Sequence, residues 1–285
     1  LAAASMASYP AICKSLADAT GIDPQWTPSG MRILDAFDVA ELEAIQDWAA
    51  ANALPVLPSA LPATARSGLW LPWVAQLRNP RLCRALAARL RQLGVQINEQ
   101  VADVSLTVRG RKAYVANPQI EADVVAVCAG AWTNTLLAPL YWPQAIEPVR
   151  GQMLLFKAPP GLLSEIMLDR DHYLIPRRDG YILAGSTVEP EAGFDAGITS
   201  AARDALQSRA IELLPSLATA SIEQQWSGLR PGSSNGVPVI AQHPELSNLF
   251  VNAGHYRNGL TLAPASAKRL LSVIADRHFD QGDLR

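Results

Sequence analysis

The sequence predicts an α/β chain of the two-part α+β kind, and three observations carry that prediction. Near the middle, Val124-Val125-Ala126-Val127-Cys128 is apolar without alternation, as a strand covered on both faces would be. It runs into Ala129-Gly130-Ala131-Trp132-Thr133, which opens a short helix. Near the end, Leu249-Phe250-Val251-Asn252-Ala253 reads as a second buried strand, and residues 260–275 follow with apolar positions at helical spacing. Between these strand–helix units, from Val149 onward, short strand patterns are joined by tight turns, the mark of a mainly antiparallel sheet.

Taken in order, residues 1–19 are Ala-rich and apolar on one side, and Gly21 stops the helix they predict. Residues 26–34 read as a turn and a strand. Asp38 and Glu41 make a capping box for a helix whose inner face carries Val39, Leu42, Ile45, Trp48 and Ala49. Pro55, Pro58 and Pro62 mark a loop. Asn79 caps, and Pro80 opens, a helix with the apolar stripe Leu82, Leu86, Leu90 and Leu93. Gly94 supplies its left-handed stop, and Arg84, Arg89 and Arg91 form its solvated face. Strands are expected at 95–97 and 101–108, then at 149–156, 173–175, Tyr181–Gly185 and 222–229. Arg178-Asp179-Gly180 is a hairpin turn, and 200–214 is an inserted helix. The run Gly180-Tyr181-Ile182-Leu183-Ala184-Gly185-Ser186-Thr187 has P-loop glycine spacing but lacks the phosphate-reaching lysine, so a strand with glycine ends is expected there.

At 285 residues the length admits two domains, and 49% hydrophobic with 18% charged residues is the composition of a soluble globular chain with a sizeable core. A net charge of −2 leaves no footprint for nucleic acid or an anionic membrane, and no apolar run approaches the roughly 18 residues of a membrane span. Cys13, Cys83 and Cys128 are far apart and odd in number, and neither CxxC nor HExxH occurs, so a metal site has little support. Cys83 on an apolar helix face and Cys128 inside a strand read as core thiols, and a reducing cytoplasm fits.

Candidate chemistry gathers at three places. The turn Gly254-His255-Tyr256-Arg257-Asn258-Gly259-Leu260-Thr261 leads from strand to helix. A helix N-terminus offers unpaired N–H groups and the positive end of the peptide dipoles, which can hold an anion or an electron-rich ring edge; an ordinary tight turn fits the same residues. Tyr173 heads a strand, and Arg230 sits in Trp226-Ser227-Gly228-Leu229-Arg230-Pro231-Gly232. An arginine beside glycines can present its fork to a carboxylate, with a tyrosine hydroxyl completing the grip. An internal ion pair for Arg230 and a core phenol for Tyr173 are the alternatives. None of His172, His243, His255 and His278 is assigned a proton-transfer role.

The string GHYRNGLTLAP resembles the C-terminal flavin-contacting turn of the D-amino-acid-oxidase-like flavoenzymes, in the form seen in glycine oxidases of thiamine biosynthesis. The resemblance covers nearly the whole chain: Ala129-Gly130-Ala131-Trp132-Thr133 matches the family's AGxW[ST] element, Arg150-Gly151-Gln152 follows it, and Asn235-Gly236-Val237-Pro238 closes it, with Asn235 where Asp is more frequent. It implies FAD as cofactor, contacted by Val101, Ala129, Gly130, Trp132, Gly254, His255, Arg257, Asn258, Gly259, Leu260 and Thr261. It implies that Tyr173 and Arg230 hold a small amino acid's carboxylate, with Arg257 close to both substrate and flavin. The implied reaction is oxidative deamination of glycine, sarcosine or a small D-amino acid, by hydride transfer to the flavin and reoxidation by oxygen to peroxide. A quinone-linked D-amino-acid dehydrogenase and a non-catalytic binding subunit of the same fold are the alternatives. The implied partners are the amino acid and oxygen, with no nucleic acid or membrane; a homo-oligomer is compatible with the sequence.

The same resemblance implies an incomplete Rossmann-like FAD-binding domain (1–20, 70–140 and 229–285) and a substrate-binding domain on a mainly antiparallel sheet (21–69 and 141–228). The family opens with strand, GxGxxG, helix and an acidic residue about 20 residues later. No two glycines here stand two apart, so the motif is absent, and its βαβ unit is expected upstream of Leu1. On that expectation Leu1 is a cropped start, and strand 124–128 keeps one unpaired side. The 285 residues alone would then fold poorly or need a partner and bind FAD weakly or not at all, and inactivity alone is compatible with that expectation.

Overall fold

The computed structural model describes residues 1–34, 39–61 and 66–279. Helix α1 (Ala2–Thr20) ends where Gly21 takes φ +70° and donates its N–H to the Ala17 carbonyl. Strands β1 (Thr27–Pro28) and β2 (Met31–Leu34) lead to α2 (Val39–Ala51), β3 (Leu57–Leu61), β4 (Arg66–Leu71), β5 (Ala75–Gln76) and α3 (Asn79–Gln92). A hairpin of β6 (Ser105–Arg109) and β7 (Lys112–Asn117) precedes β8 (Val125–Val127) and α4 (Thr133–Leu137). The antiparallel region holds β9 (Ile146–Lys157), β10 (Ile166–Asp169), β11 (His172–Pro176), β12 (Tyr181–Gly185), α5 (Ser200–Leu213) and β13 (Ser221–Ser233). Last come β14 (Val239–Gln242), β15 (Leu249–Ala253) and α6 (Gly259–Phe279).

Two sheets organise most of these elements, beside the two-stranded pairs β1-β5 and β6-β7. The larger runs β13-β9-β12-β11-β10-β2-β4-β3, antiparallel except where β10 lies parallel to β2. The smaller runs β14-β15-β8, with β15 parallel to β8. Helix α5 starts under a side-chain cap, Thr199 Oγ1 accepting from the Ala202 N–H at 3.2 Å. Its inner face, Ala202, Leu206, Ala210 and Leu213, closes on Leu154, Phe156, Leu174 and Ile182 of the large sheet. A second cluster seals β8 and β15 against α4 through Val125, Val127, Leu137, Leu249 and Val251.

Several local expectations give way to tertiary context. Pro58 lies inside β3, not in a loop; β3 ends the large sheet, and an edge strand needs ladder bonds on one side only. Pro62 and Asp38 lie outside the described residues. On α3 the cap position is Arg78, with no side-chain capping bond, and only Leu82 and Ala85 are buried. Leu86, Leu90 and Leu93 are exposed, because α1 covers one narrow side of the helix and the rest of the apolar stripe faces outward. Cys83 and Cys128 are accordingly exposed thiols; Cys13 alone of the three is buried. The strands expected at 95–97 and 101–108 reduce to β6, since Val95 and Val104 find nothing to bury them. In β8 the burial alternates, Val125 and Val127 inward and Ala126 outward, so one face is covered and not two.

Helix α6 contains Pro264, which has no N–H to give the carbonyl of Leu260 four residues back. Helix α1 supplies the remedy: the Tyr9 hydroxyl donates to the Leu260 carbonyl, and Ser5 Oγ accepts from the Ala265 N–H at 3.0 Å. Tyr9 stacks on Trp26 with ring centroids 5.7 Å apart, and burial, helped by Cys13, pushes its phenol up to about 12. Tyr9→Phe leaves the carbonyl unsatisfied and should cost about 1–3 kcal/mol of stability, whereas Leu86→Ala on the exposed stripe should stay within roughly 0.5 kcal/mol. Denaturant unfolding of both variants checks this; equal losses would refute the account of Tyr9.

Candidate active site

Arg230 lies near the end of β13, opposite Val149 of β9. Its Nη1 donates to the carbonyls of Arg150 (3.3 Å) and Thr187 (3.1 Å), and Nη2 donates to Ser186 Oγ (2.8 Å). The guanidinium lies flat against Gly151, where a Cβ would stand 2.0 Å from Nη1, so only glycine leaves it room. All three acceptors are uncharged, and among the described ion pairs Arg230 has no carboxylate. Burial lowers its proton affinity most; Tyr173 works against that shift and the Arg257 cation adds to it.

Tyr173 stands opposite Gly185 across β11 and β12. A Cβ at Gly185 would lie 2.8 Å from the Tyr173 hydroxyl and 3.0 Å from Met153 Cε, so this glycine lets the ring cross the neighbouring strand. The hydroxyl meets Met153 Sδ at 3.9 Å. Arg257 reaches the β10–β11 turn, where Nη1 pairs with Asp171 Oδ1 and Nη2 lies 3.5 Å from the Asp171 carbonyl. That carbonyl also accepts from the Ser186 N–H at 3.4 Å. An ion pair as exposed as Arg257–Asp171 stabilises the fold by about 1 kcal/mol or less. Tyr173, Arg230 and Arg257 thus share one neighbourhood with Met153, Asp171 and Ser186, none of which the sequence singled out. The strand-ending Gly185-Ser186-Thr187 was the one available sign.

A polar network fixes the loop that holds Arg230. Arg150, 8% exposed, donates through Nη2 and Nε to Glu189 Oε2 (2.7 and 3.0 Å) and through Nη1 to Asp195 Oδ2 (2.6 Å). Gln152, fully buried, donates to Glu189 Oε1 (2.9 Å) and accepts from the Thr199 N–H (2.9 Å). The Thr187 hydroxyl also donates to Glu189. Burial alone would raise the Glu189 carboxyl, but the bonds from Thr187, Gln152 and Arg150 outweigh it and hold it low. The Arg150-Gly151-Gln152 run therefore supplies two anchors and a gap.

The two glycine turns emerge side by side. Ala129 follows β8 and Gly254 follows β15, which are parallel neighbours, so both turns leave at strand carboxyl ends. Gly130 (φ +56°) has nothing within 4 Å of where a Cβ would stand, and Trp132 is exposed beside Phe194. Gly254 (φ +78°) would set a Cβ 3.2 Å from that of Ser233, and His255 bridges to Gly232 of β13. His255 Nε2 meets Ser266 Oγ at 2.9 Å, and burial lowers its pKa. Ser233 Oγ and, two residues before Gly254, Asn252 Oδ1 are buried without a hydrogen-bond partner. Arg257, Asn258 and Thr261 are exposed, and Gly259 and Leu260 half-buried. Val101 lies half-buried between α3 and β6, and no hydrogen bond among the described residues joins it to the two turns.

The family model for FAD dependent oxidoreductases matches residues 1–272. A glycine oxidase of Pseudomonas aeruginosa is 40% identical over 288 aligned positions, covering 94% of this chain and 77% of that protein. One from Pseudomonas putida is 40% identical over 281, covering 93% and 76%. The crystal structure of glycine oxidase from Geobacillus kaustophilus superimposes with a TM-score of 0.86 at 26% identity, over 95% of this chain and 77% of that one.

Glu189 offers a pH test of the scaffold. Its lowered folded pKa gives stability that is fully present above its ordinary value of 4.5 and is lost as pH falls through the folded value. The melting temperature should therefore drop below that pH, and Glu189→Gln should flatten the drop; parallel curves for the two proteins would show that Glu189 is not held as described.

Proposed function

The chain belongs to the FAD dependent oxidoreductase family, and we propose that within it this chain oxidises the amine of a small amino acid: glycine, sarcosine or a small D-amino acid. The product is the imine, which hydrolyses to the 2-oxo acid, and oxygen takes the electrons to give hydrogen peroxide. One observation carries the reading. Arg230 is a half-buried cation held by three neutral acceptors, with its charge left over for an anion.

The residues fit FAD. Two glycine turns leave at the ends of parallel strands where a doubly wound sheet takes its ligand, a 21-residue helix begins at one of them, and Ser233 Oγ and Asn252 Oδ1 near that turn are orphaned polar atoms. Ala129, Gly130, Trp132, Gly254, His255, Arg257, Asn258, Gly259, Leu260 and Thr261 are proposed to hold the cofactor, with Val101 at the periphery. FAD, when bound, supplies a hydride acceptor that oxygen can regenerate. Arg230 takes the carboxylate bidentately, the Tyr173 hydroxyl donates to the same group, and Met153 lends an apolar wall. Arg257, paired with Asp171, stands at the rim. His255, kept neutral by burial, orients the turn through Ser266 and moves no proton. No side chain removes a proton, provided the amine arrives neutral.

We further assign residues 1–20, 70–140 and 229–285 to the cofactor half and 21–69 and 141–228 to the substrate half, supported by the change from strand–helix to antiparallel order. Three free cysteines, two of them exposed, suit a reducing cytoplasm, and a homo-oligomer is compatible with this reading. Peroxide release with glycine, sarcosine or D-alanine tests the oxidase; electrons passing only to a quinone would make it a dehydrogenase. Arg230→Ala should lower kcat/KM by about 10- to 150-fold while flavin absorbance stays unchanged, and wild-type kcat/KM in that variant would overturn the carboxylate anchor.

A further inference from the structure

The charges around Arg230 are unequal. Arg230 faces carbonyls and a hydroxyl, whereas Arg257, the second cation of the site, is already paired with Asp171. The two are linked by short contacts: the Asp171 carbonyl accepts from Ser186 N–H and faces Arg257 Nη2, and Ser186 Oγ accepts from Arg230 Nη2 at 2.8 Å. Asp171 leaves β10 through Arg170, in the left-handed region at φ +53°, and Arg257 follows Tyr256 at φ +49°; the two turns meet through the Arg257–Asp171 contacts. The remaining acid near Arg230, Glu189, is engaged by Arg150 and Gln152. One cation is therefore open to an anion and one is closed by the chain's own carboxylate.

The geometry points to Asp171 as a specificity-determining residue that restricts the site to amines bearing a single carboxylate. This rests on reading Arg230 as the carboxylate anchor. A substrate carboxylate placed on Arg230 satisfies the one open charge. A second carboxylate on the same small molecule that turns toward Arg257, the neighbouring cation, meets the Asp171 charge and must displace it to gain a partner. Glycine, sarcosine and D-alanine escape that conflict; D-aspartate and other dicarboxylic amines do not. Asp171 touches neither reacting atom, so its effect is on which substrate is admitted.

Asp171→Asn removes the charge at nearly constant shape and keeps an oxygen for Arg257, and Asp171→Glu keeps the charge. In purified protein supplied with excess FAD, calorimetry would compare acetate with malonate, and peroxide release would compare sarcosine with D-aspartate. Removing one charge from an exposed pair should raise the malonate-to-acetate affinity ratio roughly fivefold. The D-aspartate-to-sarcosine ratio of kcat/KM should move in the same direction, with Asp171→Glu close to wild type. Raised salt should shrink the wild-type discrimination. Unchanged ratios in Asp171→Asn, with sarcosine still oxidised, would overturn the role of Asp171 and leave the oxidase reading standing. Shifted affinity ratios with no turnover of any amino acid would sink the oxidase reading and leave Asp171 as the charge filter. Failure of wild type to bind either acid would overturn both.

Discussion

A guanidinium kept half-buried without a counter-charge is the constraint on which the rest of the site depends. Taking an arginine out of water is costly unless its hydrogen bonds are replaced, and here two carbonyls and a hydroxyl replace them without cancelling its charge. Those acceptors must hold still. The Arg150–Glu189–Gln152 network, buried at Arg150 and Gln152, meets that need, satisfied on nearly every side and thus able to fix the Ser186–Thr187 backbone. Gly151 completes the arrangement by subtraction, since any side chain there would occupy the guanidinium's space.

Strand β13 carries this arrangement between the two sheets. It pairs with β9 along its whole length, then touches the glycine turn through the Gly232–His255 bridge. The surroundings of Arg230 and the glycine turn are therefore tied to one ladder, and their relative position is set by register. A slip of one residue would turn Arg230 to the opposite face.

Much of this was legible in the chain, and what was not has a physical reason. The terminal strand–helix unit, the hairpin at Arg178-Asp179-Gly180 and the helix at Ser200–Leu213 follow from period and turn chemistry, which are local. Tyr173, Arg230 and Arg257 stood out because charged or phenolic groups sat among apolar residues and glycines. Their neighbours did not: Glu189 is 39 residues from Arg150 and Asp171 is 86 from Arg257, and separations of that size leave no periodic trace. The stripe on α3 misled for the opposite reason. Helical spacing shows which residues share a face, and says nothing about whether another element covers it.

Pro264 has a consequence for motion. Because the first turn of α6 relies on hydroxyls from α1 where its own ladder is interrupted, the two helices form one cooperative unit at that point. Local opening of α1 strips the Leu260 carbonyl of its donor one residue beyond Gly259, so amide protons in the glycine turn should exchange with those of α1 and not with those of the remaining turns of α6. The shape of the glycine turn is in this sense kept by a helix more than two hundred residues away, and the slow fluctuations of the chain's first segment become those of this turn.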